Sequence, residues 1–179
     1  MDYFDTVRNR HSVRKYQARE VEQEKLDLIL ETINAAPSAG DLQGYQALLV
    51  RDPSTRQALA KASYGQNFIV EAPLALVFCA DHLRSAGKYG KRGAELYAVQ
   101  DATIATAYCQ LAATALGLAT VWVGAFDTAG VAVAINAPES MTPVAIIPIG
   151  YAAEEPAPTP RRKLDDLVKL ETLGGRSFC

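Results

Sequence analysis

Residues 95–127, ELYAVQDATIATAYCQLAATALGLATVWVGAFD, decide how the rest of the chain is read. From residue 102 to residue 126 there is no formal charge, and a run of that length could span a bilayer. Ala and Thr gain little from lipid, however. Gln110 interrupts the run, and Gly117 breaks it before a β-branched stretch. The pattern therefore predicts a buried helix over 95–116 and a strand over 120–123. Its small residues Ala102, Ala105, Ala112 and Ala113 permit close backbone approach. Asp127 is placed to cap a further helix.

Working outward, LALVFCA (74–80) reads as a buried strand, and residues 143–151 as a central one. Residues 47–50 form a shorter strand candidate. Leu26, Ile29, Leu30 and Ile33 share one face of a helix over 22–36, which Pro37-Ser38-Ala39-Gly40 stops. A short helix over 2–9 would turn Phe4 and Val7 to the core, with Asp2 near its start. Residues 10–17 are extended. Pro53-Ser54 opens another helix, with Ser54 as its cap. The polar stretch 81–93, carrying Gly87, Gly90 and Gly93, reads as a mobile surface segment. Prolines in EEPAPTP (154–160) force an exposed, extended arm. Leu164, Leu167, Val168 and Leu170 beyond it need a cover, and a partner subunit is one solution. The whole of 1–179 is expected to form one domain.

Composition narrows the function. The 179 residues are 49% hydrophobic and 21% charged, with a net charge of −2. A nucleic-acid binder usually carries a strong positive balance, so no such partner is expected. Cys79, Cys109 and Cys179 are odd in number and lack a C-x-x-C spacing, which argues against a disulfide framework and a zinc site. Cys179 reads as a free, exposed thiol. The opening MDYFDTVRNRHSVRKY has no apolar core, so a cytoplasmic location is expected, with no membrane segment.

Four constellations carry chemistry. Arg10, Ser12 and Arg14 (with Arg8, if it too is extended) would share one face of an extended segment. Guanidinium forks match phosphate oxygens, although the same run also fits a solvated basic edge. Residues 36–43, APSAGDLQ, form a tight polar turn that suits a planar polar ring or merely ends a helix. Val123-Gly124-Ala125-Phe126-Asp127 joins a strand to a helix and presents backbone N–H groups. As a plain connection it needs no ligand. Arg161, Arg162 and Lys163 complete a phosphate site or form a basic surface cluster. Only two histidines are present, His11 and His82, and H-E-x-x-H, G-x-S-x-G, the Walker loop and G-x-G-x-x-G are all missing. Chemistry without strong acid–base or metal side chains points to a cofactor.

In order along the chain, these pieces resemble the FMN-dependent nitroreductase superfamily. RNRHSVRKY (8–16) is similar to its opening R-x-R-x-S-x-R element, and AAPSAGDLQGYQ (35–46) to its A-P-S-x-x-N-x-Q-P-W element. GQNFIVEAPLALVFCAD (65–81) leads into a central strand in the same way. Residues 96–127 resemble the long dimer helix and the loop after it. TPVAIIPIGYA (142–152) and PRRKLDDLV (160–168) resemble the closing elements. No one of the six motifs is decisive; their order is.

The resemblance implies an α+β fold with a central, mainly antiparallel sheet flanked by helices. It implies a homodimer whose C-terminal arm, 153–179, embraces the partner, with FMN at the interface. Arg10, Ser12 and Arg14, with the backbone of His11, would hold the phosphate and ribityl end, joined by Arg161 and Lys163. Pro37, Ser38, Ala39 and Gln43 would contact the flavin from the other subunit. Gly124 and Ala125 would face the isoalloxazine, and Gln66 and Asn67 would reach its pyrimidine edge. Two departures stand out. Asp41 replaces a frequent Asn, and Gly44-Tyr45 replaces Pro-Trp, so a looser turn is expected.

The implied cycle is ping-pong. NADH or NADPH gives a hydride to the flavin, and a nitroaromatic, quinone or similar small-molecule electron acceptor then takes its place. No catalytic side chain is expected. Tyr89 and Tyr97, in the stretch 82–97, would border the acceptor, although an ordinary surface loop is the other reading. The same phosphate site would serve a specialised relative that fragments flavin, dehalogenates or oxidises azolines, or a flavin-storage protein.

Overall fold

The computed structural model describes residues 1–157 and 159–177. Its centre is strand β2, Leu74–Asp81, which pairs antiparallel with β1 (Tyr45–Val50) on one side and β4 (Met141–Gly150) on the other. The two-residue strand β3, Ala119–Thr120, pairs antiparallel with β4, so the sheet order is β1-β2-β4-β3.

Every residue from Leu74 to Ala80 is buried because both faces of the sheet are covered. Alternation divides the strand between two cores. Leu74, Leu76 and Phe78 join Ile147 and Ile149 under helices α2 (Gln23–Asn34) and α6 (Ala98–Ala115). Ala75, Val77 and Ile146 face the other way, under α3 (Pro53–Ala62), α4 (Phe68–Glu71) and α7 (Thr128–Ala134). Leu26, Ile29 and Ile33 of α2 are buried as their periodicity requires.

Helix α6 contains the first part of the uncharged run 102–126, preceded by Asp101 in its first turn. Ala98, Ala102, Ala105 and Ala113 are buried, the last two in the core shared with the sheet and α2. Thr106 and Thr114 donate to the carbonyls four residues back, which satisfies their hydroxyls and lets them be buried. Among the described residues, no helix is long and apolar enough to cross a membrane.

Several local expectations are corrected. Residues 81–93 are not a loop. Helix α5, His82–Arg92, starts at Asp81, whose carboxylate accepts from the Arg84 N–H at 3.0 Å. It breaks at Gly90 (φ +55°) and continues through a π-helical turn, Gly93–Tyr97, into α6. Polar composition hid this helix because most of its surface faces water. In α1, Tyr3–Asn9, Phe4 and Val7 are exposed and Thr6 is the buried residue. Asp52, not Ser54, caps α3 by accepting from Thr55 N–H at 2.8 Å.

The strand expected over 120–123 is interrupted for a covalent reason. Val123 and Ile146 exchange two hydrogen bonds of 3.0 Å. Two residues back, Val121 would need an N–H from Pro148, which has none. Cys179 lies outside the described residues.

Candidate functional site

The segment after α1 runs alongside β3. Val13 N–H donates to the Thr120 carbonyl at 3.0 Å, and Ser12 bridges Thr120 in parallel. Val13 is buried, whereas Ser12 and Arg14 are exposed, so the alternation read from sequence holds. Arg10 is half-buried. Neither the Arg10 nor the Arg14 guanidinium has a carboxylate within 4.0 Å among the described residues. Arg8 differs, because it is still helical and pairs with Asp5 at 2.5 Å. Between Arg10 and Arg14 in sequence, His11 Nδ1 is buried and has no hydrogen-bond partner among the described residues.

The turn after α2 is built from unusual backbone. Gly40 (φ +58°), Asp41 (φ +58°) and Gln43 (φ +49°) are all left-handed. A short polar side chain such as Asp or Asn tolerates that conformation, which accounts for either at position 41. The turn is pinned rather than loose. Asp101 Oδ1 accepts from Ala39 N–H at 2.9 Å, and Oδ2 from Gly44 N–H at 3.1 Å. Ser38 Oγ accepts from Gln43 N–H at 2.9 Å. The Gln43 amide in turn donates to Asn34, to O at 3.0 Å and Oδ1 at 3.1 Å. Gly44 closely approaches α5: a Cβ there would lie 2.1 Å from Ser85 Oγ, which would have to rotate away. Tyr45 donates its hydroxyl to the Ile33 carbonyl at 2.8 Å. Burial, followed by the Asp101 charge, raises the pKa of that phenol.

Asp101 is the functional residue that sequence reasoning missed. It is 2% exposed. It is also the one charged residue of α6, and that isolation was the available signal.

The third group adjoins α7. Gly124 and Ala125 are exposed, and Asp127 caps the helix by accepting from Ala129 N–H at 3.2 Å. Gln66 Nε2 donates to the Ala125 carbonyl at 2.9 Å and to the Ser63 carbonyl at 3.0 Å. Both amide hydrogens are thereby used, which leaves Gln66 its Oε1 as an acceptor.

Tyr89 and Tyr97 meet edge to face, with ring centroids 5.1 Å apart. A Cβ on Gly40 would fall 2.4 Å from the Tyr89 hydroxyl, so the 82–97 segment sits directly against the turn. Tyr97, Ala39 and Asp101 line one cavity of about 520 Å³. Arg161 and Lys163 are exposed and are not joined to Arg10–Arg14 by any hydrogen bond among the described residues. The root of their arm is nearby: Glu154 Oε1 accepts from Arg14 N–H at 2.7 Å.

The turn and the basic segment stand at diagonally opposite corners of the sheet. Thr120 is opposite Ile149, and Ile149 opposite Leu74, whereas Tyr45 is opposite Ala80. Six residues along β2 amount to about 20 Å, and four strand spacings from β1 to the 10–16 segment to about 19 Å.

The profile of the nitroreductase family matches residues 7–151. The chain is 31% identical over 186 residues to an NADH dehydrogenase of Thermus thermophilus, covering 89% of this chain and 91% of that one. It is 30% identical over 180 residues to an FMN reductase (NAD(P)H) of Bacillus subtilis, covering 93% of this chain and 72% of the relative. The solved structure of the NADPH:FMN oxidoreductase of Vibrio harveyi, complexed with NAD+, superposes with a TM-score of 0.88 at 26% identity, covering 95% of this chain and 77% of that one. By the match over residues 7–151, the identity to its relatives and the superposition of its fold, the chain belongs to the nitroreductase family.

Proposed function

We propose that this NAD(P)H-dependent flavin oxidoreductase works by ping-pong exchange on FMN held between two copies of the chain. Its acceptor is a nitroaromatic, a quinone or a similar small molecule. The observation that carries the reading is the diagonal separation of the turn from the basic segment. It is on the order of 25 Å, longer than one flavin mononucleotide. A second copy sets one chain's turn beside the other chain's cations, so two equivalent sites form across a two-fold axis.

The residues fit that ligand. Among the described residues, the Arg10 and Arg14 guanidinium groups have no carboxylate partner and the buried His11 Nδ1 has no hydrogen-bond partner. With Ser12 they suit a phosphate and ribityl chain, and Arg161 and Lys163 add charge from the arm. Pro37, Ser38, Ala39 and Gln43 supply a wall from the partner copy. Gly124 and Ala125 offer exposed backbone to the ring system, and Gln66 steadies them. Bound FMN supplies hydride and electron transfer between a nicotinamide and the acceptor. The chain's own work is to fix the pocket, admit donor and acceptor in turn, and exclude competing reactions.

Exposed Leu164, Leu167 and Leu170 support an arm that packs on the partner, with residues 1–179 acting as one domain. Cys79 and Cys109 are free and buried, which suits a reducing cytoplasm.

The test is an absorbance spectrum of the purified protein, before and after anaerobic NADH and NADPH, together with its solution mass. A flavin spectrum that either donor bleaches, on a dimer, is expected. A colourless protein that takes up no added FMN overturns the reading.

A further inference from the structure

Helix α5 carries Arg84, Lys88, Lys91 and Arg92 and no acid, in a chain whose net charge is −2. Lys91 is paired with Glu95 at 3.6 Å. The charged ends of the other three have no carboxylate within 4.0 Å among the described residues, although the Asp81 carboxylate accepts from the Arg84 backbone N–H and Asp41 lies between Gly40 and Leu42. Arg84 and Lys88, four residues apart, share one side of the helix before its break at Gly90; Arg92, beyond the break, bonds to Tyr97, whose ring meets that of Tyr89 next to Lys88.

Each of the three is held by one donor. Arg84 Nε donates to the Leu42 carbonyl, Lys88 Nζ to the Gly40 carbonyl at 3.5 Å, and Arg92 Nε to the Tyr97 hydroxyl at 3.0 Å. A guanidinium has five N–H bonds and an ammonium three, so most donors stay free. Arg84 and Lys88 therefore lie against the polar turn, and Arg92 against Tyr97, which lines a cavity with Ala39 and Asp101. A fixed set of cations with spare donors suits a ligand bearing several phosphate oxygens.

We propose that Arg84, Lys88 and Arg92 bind the phosphate groups of the reduced nicotinamide dinucleotide, the pyrophosphate and, in NADPH, the 2′-phosphate. This rests on the donor-and-acceptor reading above. The set would direct the nicotinamide end to the cavity edge at Tyr97 while leaving FMN to other residues.

The experiment compares the FMN-loaded enzyme with its Lys88→Gln, Arg92→Gln and double variants. Donors are NADPH, NADH and the phosphate-free 1-benzyl-1,4-dihydronicotinamide, with a neutral quinone as acceptor. For NADPH, the loss of one charge-assisted contact should raise KM by about tenfold. The KM for NADH should rise less. kcat/KM for the phosphate-free donor should stay within about twofold, which a merely misfolded pocket would not allow. Added salt should lower wild-type kcat/KM for NADPH but not for the uncharged donor.

Equal losses with all three donors, or none with any, overturn the proposal. So does a KM increase confined to an anionic acceptor, run as a separate arm, because the set would then serve the acceptor. A wild-type protein that holds no flavin and oxidises no donor fails the functional reading instead. A wild type that turns over normally beside unchanged variants fails this inference alone.

Discussion

The carboxylate of Asp101 holds the backbone of Ala39 from 62 residues away, accepting its N–H at 2.9 Å from inside the central helix. Its second oxygen holds Gly44, so one buried side chain closes both ends of the turn. Asn at this position keeps one acceptor oxygen and places an amide donor against the other N–H. Asp101→Asn should therefore weaken FMN binding about tenfold and cost about 1–3 kcal/mol of stability. Flavin titration and denaturant unfolding measure the two losses separately. Unchanged values in both would show that the turn holds itself.

The basic segment predicts a contrast between neighbours. Arg10→Ala and Arg14→Ala remove guanidinium groups that have no carboxylate partner among the described residues, and each should raise the FMN dissociation constant by roughly ten- to a hundredfold. Arg8 is exposed and paired within its helix, so Arg8→Ala should leave binding nearly unchanged. Quenching of FMN fluorescence on titration distinguishes the three variants. Equal losses at Arg8 and Arg10 would point to general charge rather than a phosphate seat.

Acid stability should depend on Glu22. The Tyr151 hydroxyl donates to its carboxylate at 2.5 Å, and Arg19 donates at 2.7 Å. Led by the Tyr151 bond, these partners bring its pKa down from the ordinary 4.5 to about 2. A carboxyl depressed by folding stabilises above its unfolded pKa, and the contribution disappears as pH falls through the folded value. Unfolding midpoints should thus drop between about pH 4.5 and pH 2. Glu22→Gln should flatten that limb, and an identical pH profile would remove the assignment.

Burial raises the Cys79 pKa to about 11, so the thiol stays protonated at neutral pH. Alkylation by iodoacetamide at pH 8 should be slow in the folded protein and fast in urea. Rapid modification without denaturant would contradict the burial seen here.

Tyr89 and Tyr97 stack edge to face beside the turn. Tyr89→Ala and Tyr97→Ala should shift the ratio of kcat/KM between a quinone and a nitroaromatic by roughly three- to tenfold, since aromatic pairs are worth about 0.5–1.5 kcal/mol. Constant ratios across several acceptors would remove both residues from the acceptor site.

What the sequence determined by itself lies where local chemistry and periodicity agree. The unbroken apolar run of β2, the four-residue spacing in α2 and the small residues of α6 each state their burial directly, because a side chain's place along a strand or helix fixes the face it joins. The alternation of Ser12, Val13 and Arg14 was legible for the same reason. Tertiary structure decided the rest. Asp101 meets Ala39 and Gly44 only after α6 crosses the sheet, and no window of neighbouring residues contains that pair. Pro148 shortens β3 through a missing N–H on a different strand. The helix over His82–Arg92 forms beside a turn it does not adjoin in sequence, so its glycines and charges alone read as a loop. Local propensity reports energies of one to a few residues, whereas these features arise from contacts whose partners are brought together by the fold.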